Sequence, residues 1–181
     1  MTTMQIVLLV IAAILVLGAG WAIRTTNGFK AKEIRIEEGL SGVEVALTKR
    51  YDMLTKLLDT AKGYMTYEKD LLTQVISLRQ GMNISELQEA DRQISALSGK
   101  VFAVAENYPE LRSSEVFVEL QRGIRDAEEH LQAARRAYNA SVSAYNTAIA
   151  VFPASLLAGG RQRKEFFEAE PEKRADVKIQ F

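Results

Sequence analysis

Apolar residues are arranged in two ways along this chain, and the change falls at Arg24. From Ile6 to Ile23 they are continuous: 18 residues, all apolar or glycine. As a helix rising about 1.5 Å per residue, the run covers about 27 Å, enough for the hydrocarbon core of a bilayer. Beyond Arg24 apolar residues recur at steps of three and four, the spacing of one face of an α-helix. The clearest stripe is Phe117, Leu120, Ile124, Ala127, Leu131, Ala134, Tyr138, Val142, Tyr145 and Ile149. It predicts a helix over about 114–150, capped by Ser113 or Ser114, with Glu115 in its first turn and Pro153 past its end. A second stripe passes through Ile36, Leu40, Val43, Leu47, Tyr51, Leu54, Leu58, Ala61 and Met65, then Leu72, Val75 and Arg79. Gly39, Gly42 and Gly63 fall within it, each costing up to about 1 kcal/mol against alanine, so bends are expected there. A third stripe follows a turn at Gly81-Met82-Asn83. It runs from a Ser85 cap through Leu87, Ala90, Ile94, Leu97, Val101, Val104 and Tyr108, and stops at Pro109.

Each such helix is marginal alone in water, whereas three that bury their stripes together stabilise one another. The expected fold is all-α: an N-terminal transmembrane helix, then an antiparallel up-and-down bundle of three long helices plus a short C-terminal helix. Residues 1–26 are assigned to the anchor, 27–160 to the bundle, and 161–181 to a short helix and extended tail. Asn27-Gly28 is expected to loosen the join to the anchor, and Gly159-Gly160 to act as a flexible joint. Arg161 to Ala169 is expected to form the short helix, presenting Phe166 and Phe167. Val177, Ile179 and Phe181 alternate with polar residues, as in an extended segment lying on the bundle.

Charge sharpens the picture of the anchor. Met1 to Gln5 contains no Lys or Arg, the apolar run is long for a signal core, and Trp21 occupies its one small-x-small match. A retained anchor is therefore expected, with Trp21 at headgroup level and Arg24 at the interface. Arg24, Lys30, Lys32 and Arg35 all follow the run, which predicts an outside N-terminus and a cytoplasmic domain. The 23 basic and 23 acidic residues cancel, leaving no net positive field for nucleic acid. With no cysteine, disulfides, thiolate metal sites and thiol nucleophiles are excluded.

Little in the sequence points to catalysis. His130 is the single histidine, beside Glu128 and Glu129, and reads as a surface residue. A di-iron bundle needs two Glu-x-x-His motifs, and Ala127 stands where the glutamate should be. No phosphate-binding glycine motif occurs outside the apolar run, and no cofactor is implied. Glu68 continues the second stripe between Met65 and Leu72, where a carboxylate is costly unless paired. Arg135, Arg136 or the Tyr138 hydroxyl are its candidate partners, either as a network that fixes helix register or as a polar ligand or partner site. Tyr138-Asn139 and Tyr145-Asn146 lie seven residues apart on one helix face. Core rings with flanking amides are the expected arrangement, and an interface presenting an amide ladder is the alternative. Arg161, Arg163 and Lys164 beside Phe166-Phe167 offer either a lipid contact or, as expected here, a solvated turn with both rings docked on the bundle.

Several of these residues also carry a family resemblance. Tyr64 with Glu68, the run Ala105-Glu106-Asn107-Tyr108-Pro109-Glu110-Leu111-Arg112 and Phe117-x-x-Leu120 are similar to the LemA family. So are Ala134-Arg135-Arg136-Ala137-Tyr138-Asn139, Tyr145-Asn146, Phe152-Pro153 and Phe166-Phe167-Glu168. The resemblance covers about 27–181 and implies an all-α bundle on a single-pass anchor in a bacterial inner membrane, with no established enzymatic activity. One branch of the family is associated with building magnetosome membranes. The chain departs from the family pattern at Leu54-Thr55-Lys56-Leu57-Leu58, which lacks a proline, at Leu40 in place of a tryptophan, and at Gly159-Gly160-Arg161 in place of Phe-Gly-Phe. The function expected from all this is a non-enzymatic scaffold, held in lipid through residues 6–23, that organises protein partners at the membrane. The alternative is a small-ligand sensor or accessory factor for a membrane enzyme, with a pocket built from Glu68 and the arginines.

Overall fold

The 60 residues Thr3–Lys62 form one uninterrupted helix, α1, in the computed structural model, which describes residues 2–64 and 81–167. The apolar run and the first bundle stripe therefore lie on one continuous helix. The expected loosening at Asn27-Gly28 is absent: the helix continues, and Phe29, the next residue, is buried. No proline precedes Pro109, so nothing removes a backbone donor along α1. It ends at Lys62 with a turn at Gly63-Tyr64. The continuation expected from Met65 to Arg79, Glu68 included, lies outside the described residues.

Helix α2 spans Ile84–Ala105. Its cap is Asn83, not Ser85. The Asn83 side chain accepts from the Glu86 amide at 2.9 Å, while the Glu86 carboxylate accepts from the Asn83 amide at 2.8 Å. This reciprocal box satisfies two otherwise orphaned donors. Gly81 supplies the preceding turn at φ 77°, a conformation that disfavours a side chain. The single-turn helix α3, Pro109–Arg112, starts on proline and buries Leu111. Helix α4, Glu115–Ala150, carries the clearest stripe. Phe117, Ile124, Ala127, Leu131, Tyr138, Val142, Tyr145 and Ile149 are buried along it. Among the described residues there is no strand.

The short C-terminal helix lies earlier than the 161–169 expected: a 3-10 turn forms at Ala154–Leu157, and residues 161–167 carry no helix. Backbone groups of Lys164 and Phe167 are bonded to asparagine side chains of α4 instead, which removes them from any local helical ladder.

The chain divides into two compact units, Met1–Glu38 with Ala140–Glu165 and Gly39–Asn139 with Phe166–Phe181. Within the second, α1 and α4 run antiparallel: Gly39 faces Tyr138, Arg50 reaches Glu128, and Met53 faces Gly123. At Gly39 the two backbones approach closely. A β-carbon there would stand 3.0 Å from the Tyr138 Cα. The glycine read from sequence as a bend is a contact point between helices. Within the first unit, Glu33 of α1 takes the Tyr145 hydroxyl of α4.

Candidate functional site

Three charged side chains interrupt the buried face of the second unit. Arg50 sits on the α1 stripe, three residues after Leu47 and four before Leu54. Asp91 sits on the α2 stripe, four after Leu87 and three before Ile94. Helical geometry therefore turns both inward, and they are 6% and 2% exposed. Arg135 comes from α4. Asp91 Oδ1 accepts from Arg50 Nη1 at 2.7 Å, and Oδ2 accepts from Arg135 Nη2. Arg50 Nη2 lies 2.9 Å from Glu128 Oε2, also on α4. Two cations thus meet two carboxylates. Withdrawing such groups from water costs several kcal/mol per ion, and it is offset only where geometry and pairing are good. Here both Asp91 oxygens are bonded. Because α1, α2 and α4 each contribute, a slip of any one helix would strand a buried charge. That is the chemistry of a register lock.

The Arg135 guanidinium also stacks on the Phe167 ring, 4.6 Å from its centroid. Phe167 is 3% exposed, whereas Phe166 is 46% exposed, so one ring of the pair docks and the other stands half out. Asn139 fixes Phe167 by its main chain. The amide donates to the Phe167 carbonyl at 3.0 Å, and its oxygen accepts from the Phe167 N–H at 2.8 Å. In the first unit Asn146 grips Lys164 in the same way, at 2.9 Å in each direction. A primary amide offers one donor beside one acceptor, as a neighbouring strand does. Seven residues of helix advance about 10.5 Å, and three residues of extended chain cover about 10 Å. Asparagines seven apart can therefore serve backbone positions three apart in a non-helical segment, and residues 164–167 form a strap held at Lys164 and Phe167. From α2, Gln88 adds a bond to the Phe166 carbonyl at 3.3 Å.

The first unit has its own polar centre. Glu33 accepts from Tyr145 at 3.2 Å and from Lys30 at 3.3 Å, and Arg161 Nε lies 3.9 Å away. Arg161 also covers the Phe29 ring at 4.9 Å. Burial pushes the Glu33 carboxyl up, but the bonds from Lys30 and Tyr145 outweigh it and hold the group below the usual carboxylate range. Burial and the Glu33 charge push the Tyr145 hydroxyl above its ordinary value of 10.0.

Of the residues singled out from sequence, Arg135 is in the buried cluster, and its carboxylate is Asp91. Glu68 lies outside the described residues. Arg136 is exposed, on the rim of an open basin with Lys49, Asp126, Glu129 and His130. Tyr138 and Tyr145 are buried. Asn139 and Asn146 hold the strap. Trp21 is 40% exposed and Arg24 exposed, on an α1 segment whose apolar residues face outward throughout. Arg50, Asp91 and Glu128 were missed. For Arg50 and Asp91 the available signal is a charge at helical spacing on an apolar stripe, the same signal that singles out Glu68; Glu128 lies beside its stripe and carries no such signal. No cluster of three or more metal-ligating side chains occurs among the described residues. Among them, α1 is the one helix long and apolar enough to cross a membrane.

Comparison with known proteins adds a family. The LemA family model matches residues 39–181. Protein LemA of Metamycoplasma hominis is 23% identical over 137 residues, 73% of this chain and 63% of that protein. Magnetosome protein MamQ of Magnetospirillum gryphiswaldense is 31% identical over 84 residues, 45% of this chain and 31% of that protein. Magnetosome protein MamQ 2 of Paramagnetospirillum magneticum matches to the same extent. The chain thus spans less than two thirds of the length of each of these relatives.

Proposed function

We propose that this chain, which belongs to the LemA family, is a membrane-tethered helical scaffold that organises protein partners beside the bilayer. The supporting observation is that Asp91 is bonded from both sides by Arg50 and Arg135. The buried charges are used on one another, and the result is a stiff frame whose outer helix faces stay available. Helix-face binding, together with the high local concentration that tethering gives, is the mechanism such a frame supports. The similarity to MamQ proteins fits work at a membrane. The sensor reading drew on Glu68 with Arg135; Arg135 is engaged with Asp91, which favours the scaffold. We further place the N-terminus outside and the bundle in the cytoplasm of a bacterial inner membrane, on the basic residues that follow Ile23.

Partner capture tests the first part. Photo-crosslinkers at the exposed positions Val45 and Val116 of full-length protein in native membranes should give discrete adducts. Those adducts should persist when residues 1–26 are exchanged for an unrelated span of the same orientation. A chain that crosslinks to nothing at either position would overturn the scaffold. Orientation is simple to read because the chain has no cysteine. An impermeant maleimide applied to intact cells should label Thr3→Cys and spare Gln162→Cys, and the reverse would invert the topology.

A further inference from the structure

The loop after α4 exposes apolar side chains that the fold leaves uncovered. Phe152 is 74% exposed, Leu156 71% and Val151 54%. They flank and enter the 3-10 turn Ala154–Leu157, so they share one tip. All belong to the unit that contains the apolar half of α1. Their height along α1 follows from two contacts. Tyr145 meets Glu33, and α4 ends at Ala150, five residues or about 7.5 Å further on. Past the tip, Arg161 returns over Phe29, one turn nearer the apolar run than Glu33. Arg24, which ends that run, is nine residues or about 13.5 Å from Glu33 along the helix. The loop therefore leaves α4 about 6 Å short of the level of Arg24 and projects from there. A bilayer's headgroup layer is about 5–7 Å deep on each side.

Charge agrees with that placement. Residues 24–36 and 150–164 carry seven Lys or Arg and a single acidic group, Glu33, in a chain whose total charge is zero. Basic residues close to a bilayer surface favour anionic headgroups. The geometry points to a second membrane contact: the 151–157 loop inserts Phe152 and Leu156 into the interfacial layer of the bilayer that α1 crosses, while the basic residues around it engage anionic lipid. The contact would hold the first unit against the membrane at two places instead of by one helix alone. It rests on α1 crossing the bilayer, and the test reads that separately.

Trp21 is the only tryptophan, so single-tryptophan chains need one added change. Full-length protein is reconstituted in vesicles of mixed anionic and zwitterionic lipid carrying doxyl quenchers at shallow or deep acyl positions. Native Trp21 reports insertion of the span. In a Trp21→Phe background, Phe152→Trp and Leu156→Trp report the loop, and Val116→Trp, on an exposed site of α4, is the control. The expected result is blue-shifted emission and several-fold stronger shallow quenching at 152 and 156 than at 116, weakened when the anionic lipid is left out. Emission at 152 and 156 matching that at 116, with Trp21 quenched, would overturn the loop contact alone. An unquenched Trp21 would overturn both the span and the loop. Because both loop positions are exposed, tryptophan there is not expected to disturb packing, and unchanged helical circular dichroism checks this.

Discussion

Asp91 and Glu33 are both carboxylates that accept from a side chain of α4, Arg135 in one case and Tyr145 in the other, yet they occupy different physical situations. The Asp91 side chain is 3% exposed and that of Glu33 24%. Around Asp91 water is excluded, so each charge depends on its protein partners. Around Glu33 water remains a competent alternative partner, and screening limits what the ion pair contributes. The same residue types therefore act as a register lock in one unit and as a modest fastening in the other. Burial sets the role more than identity does.

The sharpest way to break this comparison is to remove one partner. Asp91→Ala would leave Arg50 and Arg135 buried without their shared carboxylate, and the expected loss is about 3–5 kcal/mol. Thermal unfolding of the full chain in detergent, followed by circular dichroism, measures it. A loss below about 1 kcal/mol would mean that water reaches the cluster. The triple variant Arg50→Met, Asp91→Leu, Arg135→Leu should recover most of the stability, because apolar side chains of similar volume replace buried ion pairs at little cost.

A second contrast uses glycine. Gly39→Ala forces a methyl against the Tyr138 backbone, and overpacking of this kind costs about 1–3 kcal/mol, more than the gain of up to about 1 kcal/mol in helix propensity. A β-carbon at Gly28 meets nothing within 4 Å, so Gly28→Ala should be neutral or raise stability by up to about 1 kcal/mol. Equal responses would show that the helices separate at Gly39.

The two asparagines extend the comparison to the strap. Asn139→Ala should cost about 1–2 kcal/mol, since its bonds to Phe167 are partly buried, and Asn146→Ala about half as much at the exposed Lys164. Backbone hydrogen exchange at Lys164 and Phe167 reads each clamp separately. Faster exchange at both positions in either variant would mean that the strap opens as one piece.

The smallest effect belongs to Glu33→Gln, below about 1 kcal/mol near neutral pH. Its pH dependence carries more information. The folded-state pKa of Glu33 is lowered from 4.5, so the carboxylate's contribution is present above that value. It is lost as pH falls through the lowered folded value. The wild type's advantage over Glu33→Gln should shrink in that acid range. Tyr145 has the opposite sign. Its raised pKa means that stability drops as pH climbs beyond about 10, and Tyr145→Phe should remove that drop.

How far these features are legible in the sequence varies with their cause. Helix α4 could be read to within a residue at each end, because a ten-position stripe, a serine cap and a proline stop agree. The cap of α2 was misplaced by two residues, since Asn83 and Ser85 are both good caps and only the Glu86 carboxylate folding back chooses between them. The strap was read as helix because 161–169 is rich in helix-forming residues. The competing partners, Asn139 and Asn146, lie 28 and 18 residues away and are invisible to local propensity. Arg50 and Asp91 were passed over because each looks like an ordinary charged residue until both stripes are seen to meet.

The sequence by itself determined what depends on local periodicity and on solvent preference. A continuous apolar run belongs in lipid, and three-four spacing folds into helices that bury one face each. Tertiary structure alone decided which charge meets which, that Gly39 marks a close approach and not a bend, and that Lys164 and Phe167 are bonded to asparagines of α4. These are pairings between positions far apart in the chain. Their energies depend on burial and distance, which exist only once the helices have packed.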